Sequence, residues 1–189
     1  MDYITRLQNA INRTKQLGLS TECNPFPLQP RLPTDLLQAI FQQSSDALYE
    51  NGYEKSSDLA SKCAQVHLML QHILRHTLQV ESFITIGDRF WHDYIYCEMS
   101  DEGIINELRN PKINEPSKAH IWLTLVDGTI LDCTAEAHAD ILFDRGEHPA
   151  HQCMMVVLPD QQEDDMRGYH RPFLLGTDFL LRTGTIHRI

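Results

Sequence analysis

The feature that most constrains this chain is a change of hydrophobic period at Val80. Before it, apolar residues recur at helical spacing; after it, β-branched and aromatic residues come in short runs. Ile4, Leu7, Ile11 and Leu17 predict a first helix that stops at Gly18. Leu36, Leu37, Ile40, Phe41 and Leu48 predict a second, from a Thr34 cap to Asn51-Gly52. Pro25, Pro27, Pro30 and Pro33 lie between the two and forbid helix there. A third helix is expected over roughly 57–78, with Cys63, Val66, Leu70, Ile73, Leu74 and Thr77 along one face. Beyond Val80, two strands are predicted from Phe83, Ile84, Ile86, Phe90, Trp91 and then Tyr94, Ile95, Tyr96, with a turn or bulge at Gly87-Asp88. Asp101 predicts the cap of a short helix to Leu108. His120–Val126 and Thr129–Cys133 read as a hairpin about Asp127-Gly128, and Met154–Leu158 as a further strand. Residues 135–151 read as loop or short helix, and a short helix capped by Thr177 follows Phe173. Helices followed by antiparallel strands predict an α+β fold, with a central helix packed on the sheet.

Composition narrows the classes of function. The chain has 189 residues, 42% hydrophobic and 22% charged, which predicts one globular domain over 1–189. Within it, residues 1–50 form an N-terminal helical region with the proline-rich link, and 51–189 form the α+β core. Sixteen Lys plus Arg against 26 Asp plus Glu give a formal charge of −10, a field that disfavours nucleic acid and anionic membranes as partners. No apolar run reaches the roughly 20 residues needed to span a bilayer, and Met1–Arg6 lacks the basic start of a signal peptide. The five cysteines, at 23, 63, 97, 133 and 153, form no CxxC pair. The expectation is a cytoplasmic chain with reduced thiols.

One of those thiols is a candidate nucleophile. A thiol needs a base to take its proton and an orienting group to hold the base. Cys63 sits early in the central helix, His120 opens a strand, and Asp132 lies on the return strand in Leu131-Asp132-Cys133-Thr134. Cysteine at the head of a central helix, His120-Ile121-Trp122 opening a strand, then a turn and Leu131-Asp132-Cys133-Thr134, resembles the transglutaminase-like branch of the papain-like cysteine peptidase superfamily. The resemblance covers about residues 57–134. It implies a papain-like fold and acyl transfer through a thioester, to water or to an amine. Cys63 matches the nucleophile, His120 the general base and Asp132 the orienter. The implied partner is a peptide, a protein Gln side chain or a small amide, with no cofactor and no metal. Ser56, Ser57 and Asp58 stand upstream of Cys63, where papain-like enzymes carry an oxyanion Gln.

The hairpin turn decides whether the pattern is geometrically coherent. A two-residue Asp127-Gly128 loop would pair Leu123 with Asp132 and send His120 and Asp132 to opposite faces. A three-residue loop over Val126–Gly128, with Gly128 at positive φ, pairs Leu125 with Thr129 and puts both on one face.

Other readings compete. A non-catalytic binding module of the same fold is the first alternative. A metal-dependent hydrolase using Asp144, His148, His151 and Cys153 is the second. His67 lies one helical turn from Cys63 and is a second candidate base. His72 and His76 have i, i+4 spacing but no HExxH pattern, and read as a solvated face. His92-Asp93 are strand neighbours that point to opposite faces, and the acidic run Glu163–Asp165 reads as a loop. Cys97 is expected on its strand, and Cys133 beside Asp132 as a packing residue.

Overall fold

The structure, a computed structural model, describes residues 1–91, 94–111, 118–160 and 168–187. The His92-Asp93 pair and the acidic run at 163–165 lie outside the described residues. In chain order the elements are α1 (Tyr3–Gln16), α2 (Thr34–Glu50), α3 (Ser56–Leu59), α4 (Cys63–Leu78), β1 (Ser82–Trp91), β2 (Tyr94–Tyr96) and α5 (Asp101–Arg109). They continue with β3 (His120–Leu125), β4 (Ile130–Asp132), α6 (Ala135–Leu142), a 3-10 turn (Ala150–Gln152), β5 (Met155–Val157), β6 (Tyr169–Leu175) and α7 (Asp178–Arg182). The class is therefore α+β with antiparallel strand pairs, as the change of period predicts. Among the described residues, no helix is long and apolar enough to cross a membrane.

Two compact units divide the chain: unit 1 contains 1–24, 85–121 and 160–189, and unit 2 contains 25–84 and 122–159. In unit 1, α1 buries Tyr3, Leu7, Ala10, Ile11 and Thr14 and packs on β6. Asp2 starts α1 by accepting from the Thr5 N–H at 2.7 Å. Thr14 Oγ1 donates to the Ala10 carbonyl and accepts from the Leu175 N–H at 2.9 Å, tying helix to strand. β1 pairs with β2 and with β6, and the β6 register shifts between Ile86 and Gly87, the bulge expected there. Asp88 receives Arg171 through both oxygens, at 2.6 and 2.7 Å. Strand β6 has no counterpart in the sequence reading. Pro172 hides it, and Pro172 sits opposite Gly87 at the register shift, where a missing N–H costs little. α5 begins as predicted but is capped by Ser100, whose Oγ accepts from Gly103 N–H at 3.1 Å, rather than by Asp101.

In unit 2, α2 packs on α4 and α3 on α6. Val66, Leu70 and Leu74 of α4 are fully buried, each contributing about 1.5–3 kcal/mol of hydrophobic stabilisation. β4 pairs with both β3 and β5. Thr34 is the first residue of α2 instead of its cap; Pro33 holds the cap position. The proline-rich link is pinned to the β3–β4 hairpin. Gln29 N–H donates to Val126 O at 2.9 Å, and Leu32 N–H to Asp127 Oδ2 at 3.0 Å. Asp127 also accepts from Thr129 N–H and Oγ1, so one buried carboxylate closes the turn and anchors the link.

The expected helix over 57–78 is two helices. α3 is short, with the Asp58 carboxylate accepting from the Glu54 and Lys55 N–H groups. Ala60 then turns extended, at ψ 132, and Ser61 takes a left-handed φ of 63. The chain restarts as α4 at Cys63, behind Lys62 as cap.

Candidate active site

The break between α3 and α4 makes Cys63 the first residue of a 16-residue helix. The first N–H groups of a helix lack intrahelical acceptors and present partial positive charge. A thiolate at that position gains from both. The residue is half-buried. An unbroken helix from Ser57 would have placed Cys63 in the second turn, where most of that benefit is lost.

His67, one turn further along α4, is fully buried. Its Nδ1 lies 2.8 Å from the Cys63 carbonyl oxygen, and its Nε2 accepts from the Cys133 N–H at 3.0 Å. An N–H can only donate, so Nε2 carries the lone pair and the proton of the neutral ring sits on Nδ1, donated to Cys63 O. Both ring nitrogens are thus committed to backbone groups. The geometry leaves His67 unsuited to the role of second base and makes it a bridge from the head of α4 to the end of β4.

Asp132, fully buried, is the next residue on that strand end. Its Oδ1 accepts from Thr134 N–H at 3.0 Å and Ala135 N–H at 3.1 Å, and lies 3.9 Å from His67 Nε2. These bonds start α6 in the manner of an Asx turn. Asp132 therefore caps its own turn, and it does so through Oδ1.

The hairpin has the three-residue loop. Leu123 pairs with Leu131 and Thr124 with Ile130, Leu125 N–H donates to Thr129 O at 2.7 Å, and Gly128 has φ +88. Alternation puts Ile130 and Asp132 on the face of β4 that matches Thr124 and Trp122 on β3. His120 opens β3 and is fully buried. His120 belongs to unit 1, while Cys63 and Asp132 belong to unit 2. Within unit 1 the His120 ring is buried against Tyr96, centroids 5.0 Å apart, and stacks near His170 at 6.2 Å.

The other thiols differ in kind. Cys133 is fully buried, and burial together with the Asp132 charge pushes its pKa well above the ordinary thiol value. Burial likewise raises Cys153. Cys23 is exposed, and Cys97 follows β2 at a left-handed φ of 58, off the strand on which it was expected. His72 and His76 are exposed on α4, their rings 4.3 Å apart.

The residues read as possible metal ligands form something else. Asp140 Oδ2 accepts from Ser56 Oγ at 2.6 Å, from His148 Nδ1 at 3.1 Å and from the Cys153 thiol at 3.7 Å. Arg145 Nε reaches the other oxygen at 2.9 Å. Asp144 and His151 are exposed. Among the described residues, no three ligating atoms of the 144–153 segment lie within 4.8 Å of one another. Sequence reading missed Asp140 and its contact with Ser56, since 84 positions separate the two.

Comparison of the chain with protein-family models, with curated proteins and with solved structures finds no match.

Proposed function

We propose that the chain is a cysteine-dependent amide hydrolase or acyl transferase of the transglutaminase-like kind, acting on a peptide, a Gln side chain or a small amide. The observation that carries this reading is the His67 bridge. One buried imidazole links the first turn of α4, where Cys63 sits, to Asp132-Cys133 at the end of β4. The three-residue hairpin with Gly128 at positive φ adds support, because it is the turn that the pattern of Cys63, His120 and Asp132 requires.

In this reading Cys63 Sγ attacks the amide carbonyl carbon while His120 takes the thiol proton. His120 returns that proton to the departing nitrogen as the C–N bond breaks, leaving a thioester on Cys63. Water or an amine then attacks the thioester, gives its proton to His120, and expels the Cys63 thiolate. Asp132 holds the imidazole tautomer. The Cys63 N–H is one oxyanion donor.

The test is alkylation of the native full chain by iodoacetamide at pH 7, mapped by peptide mass. Cys63 is expected to react faster than exposed Cys23, with Cys133 and Cys153 silent until unfolding. His120→Ala should remove the rate advantage of Cys63. Reaction of Cys63 no faster than Cys23, with no hydrolysis of amide substrates, would favour the non-catalytic binding module.

A further inference from the structure

We propose that His67 is a positioning residue, whose neutral imidazole sets the spacing between the nucleophile's helix and the strand end that carries Asp132. This rests on the reading of Cys63 as nucleophile. A histidine one turn after a helix-head cysteine is, from spacing alone, a candidate base. The contacts give it a different task. Nδ1–H donates to the carbonyl of Cys63 itself, and Nε2 accepts from the N–H of Cys133, the residue bonded to Asp132. The ring is wholly buried, so water does not compete for either bond.

Two consequences follow from that arrangement. The Cys63 backbone, and with it the direction of its Cα–Cβ bond, is fixed relative to β4 by a rigid planar spacer, which has no internal torsion between its two nitrogens. Asp132 is fixed through the same spacer, because its Oδ1 is already held by Thr134 and Ala135 and the next peptide unit is held by His67. Displacement of a catalytic group by about 1 Å lowers rates on the order of 100-fold. A side chain that removes such play contributes without touching the substrate.

The two halves of the bridge can be separated by substitution. Gln can reach the Nε2 position and accept from Cys133 N–H, which preserves the link from helix to strand. Asn reaches only the Nδ1 position and can donate only to the Cys63 carbonyl, a bond internal to α4. A role confined to helix stability would be rescued by Asn. A positioning role is rescued by Gln.

The first measurement is on the unaltered full chain: proton–nitrogen correlation spectra of the imidazoles at pH 7, with the His67 ring assigned through its proximity to the Cys133 N–H. A neutral ring protonated on Nδ1 is expected, and a proton on Nε2 overturns the bridge. The second is the iodoacetamide rate at Cys63, with Cys63→Ala as the blank and circular dichroism as the check on folding. His67→Ala should lower the rate about 10- to 100-fold, with most of it recovered in His67→Gln and little in His67→Asn. Equal rates in all variants, or recovery by Asn and not Gln, overturns the proposal. Should the variants fail to fold, the tautomer of the unaltered chain decides. The two failures are distinguishable: a Cys63 that is inert in the unaltered chain removes the nucleophile reading and the positioning role together. A reactive Cys63 indifferent to residue 67 removes the positioning role alone.

Discussion

Asp132 and Asp140 are both buried carboxylates of unit 2, one just before α6 and one inside it, and they are used in opposite ways. Asp132 spends Oδ1 on two backbone N–H groups of its own turn. Asp140 gathers side chains from distant segments: Ser56 of α3, Arg145, His148 and Cys153. The first carboxylate orders local backbone next to the His67 bridge. The second ties α3, α6 and the 145–153 segment together, and α3 is the lead-in to Cys63. The contrast shows why the 144–153 residues resemble a ligand set by type. Two of them, His148 and Cys153, meet a fixed anion, so their ligating atoms are already directed at a carboxylate.

The contrast predicts that the two sites separate stability from chemistry. Asp140→Ala removes the acceptor of the shortest Ser56 hydroxyl contact and one of the two carboxylates that Arg145 binds, a loss of about 2–4 kcal/mol read by urea denaturation. Asp132→Asn keeps an acceptor at Oδ1 and should cost about 1 kcal/mol or less. It should nevertheless slow Cys63 alkylation more than any substitution at 140 that still folds. Reversal of either ordering breaks the comparison.

Acid sharpens it. Burial works to raise the Asp140 pKa, but hydrogen bonds from Ser56, His148 and Arg145 outweigh it and hold the group below its ordinary 3.8. A folded-state pKa below the unfolded one means that the carboxylate's stabilisation is complete above about pH 4 and is lost as pH falls further. Urea midpoints measured from pH 6 to pH 3 should drop below pH 4 in the unaltered chain. Asp140→Asn should lower the midpoint at neutral pH and flatten that drop. An unchanged slope would assign the acid sensitivity to other groups.

Much of this was legible in the sequence where the signal is local. The period change at Val80, the bulge at Gly87 and the hairpin pattern all rest on residues within a few positions of one another. The break before Cys63 was not legible. Leu59, Cys63, Val66 and Leu70 keep helical spacing straight through it, and no Gly or Pro marks it. The left-handed residue is Ser61, which carries a steric cost of roughly 1–2 kcal/mol that spacing cannot reveal. The site divides along the same line. Cys63, His120 and Asp132 were visible as types in a pattern. The real occupation of His67, and the existence of the Asp140 hub, depend on which distant groups meet each nitrogen or oxygen.

Gly128 probes the hairpin on which the facing of Asp132 depends. Its φ of +88 is open to glycine and strained for a side chain. Gly128→Ala should cost about 1–2 kcal/mol in urea denaturation. Conversion to a two-residue turn would move Asp132 to the other face of β4, so amide exchange at Leu125 and Gly128 is the direct readout. Retained protection at both would show that the register survives the strain.

The smallest effect is expected at Lys55, and it completes the comparison. Lys55 Nζ lies 2.7 Å from Glu147 Oε2, a shorter contact than any that Arg145 makes with Asp140, and the pair raises the Lys55 pKa and lowers that of Glu147. Distance alone would rank it as the stronger tie. Both side chains are about half exposed, at 53% and 45%, whereas Asp140 is 5% exposed. Solvent screens the exposed pair and ordering two long side chains offsets the Coulomb gain. Lys55→Ala should therefore leave the urea midpoint unchanged, in low salt and high, while Asp140→Ala shifts it strongly. A salt-sensitive loss at Lys55 would mean that the Lys55–Glu147 ion pair shares with Asp140 the task of anchoring the segment after α6 to the approach to Cys63.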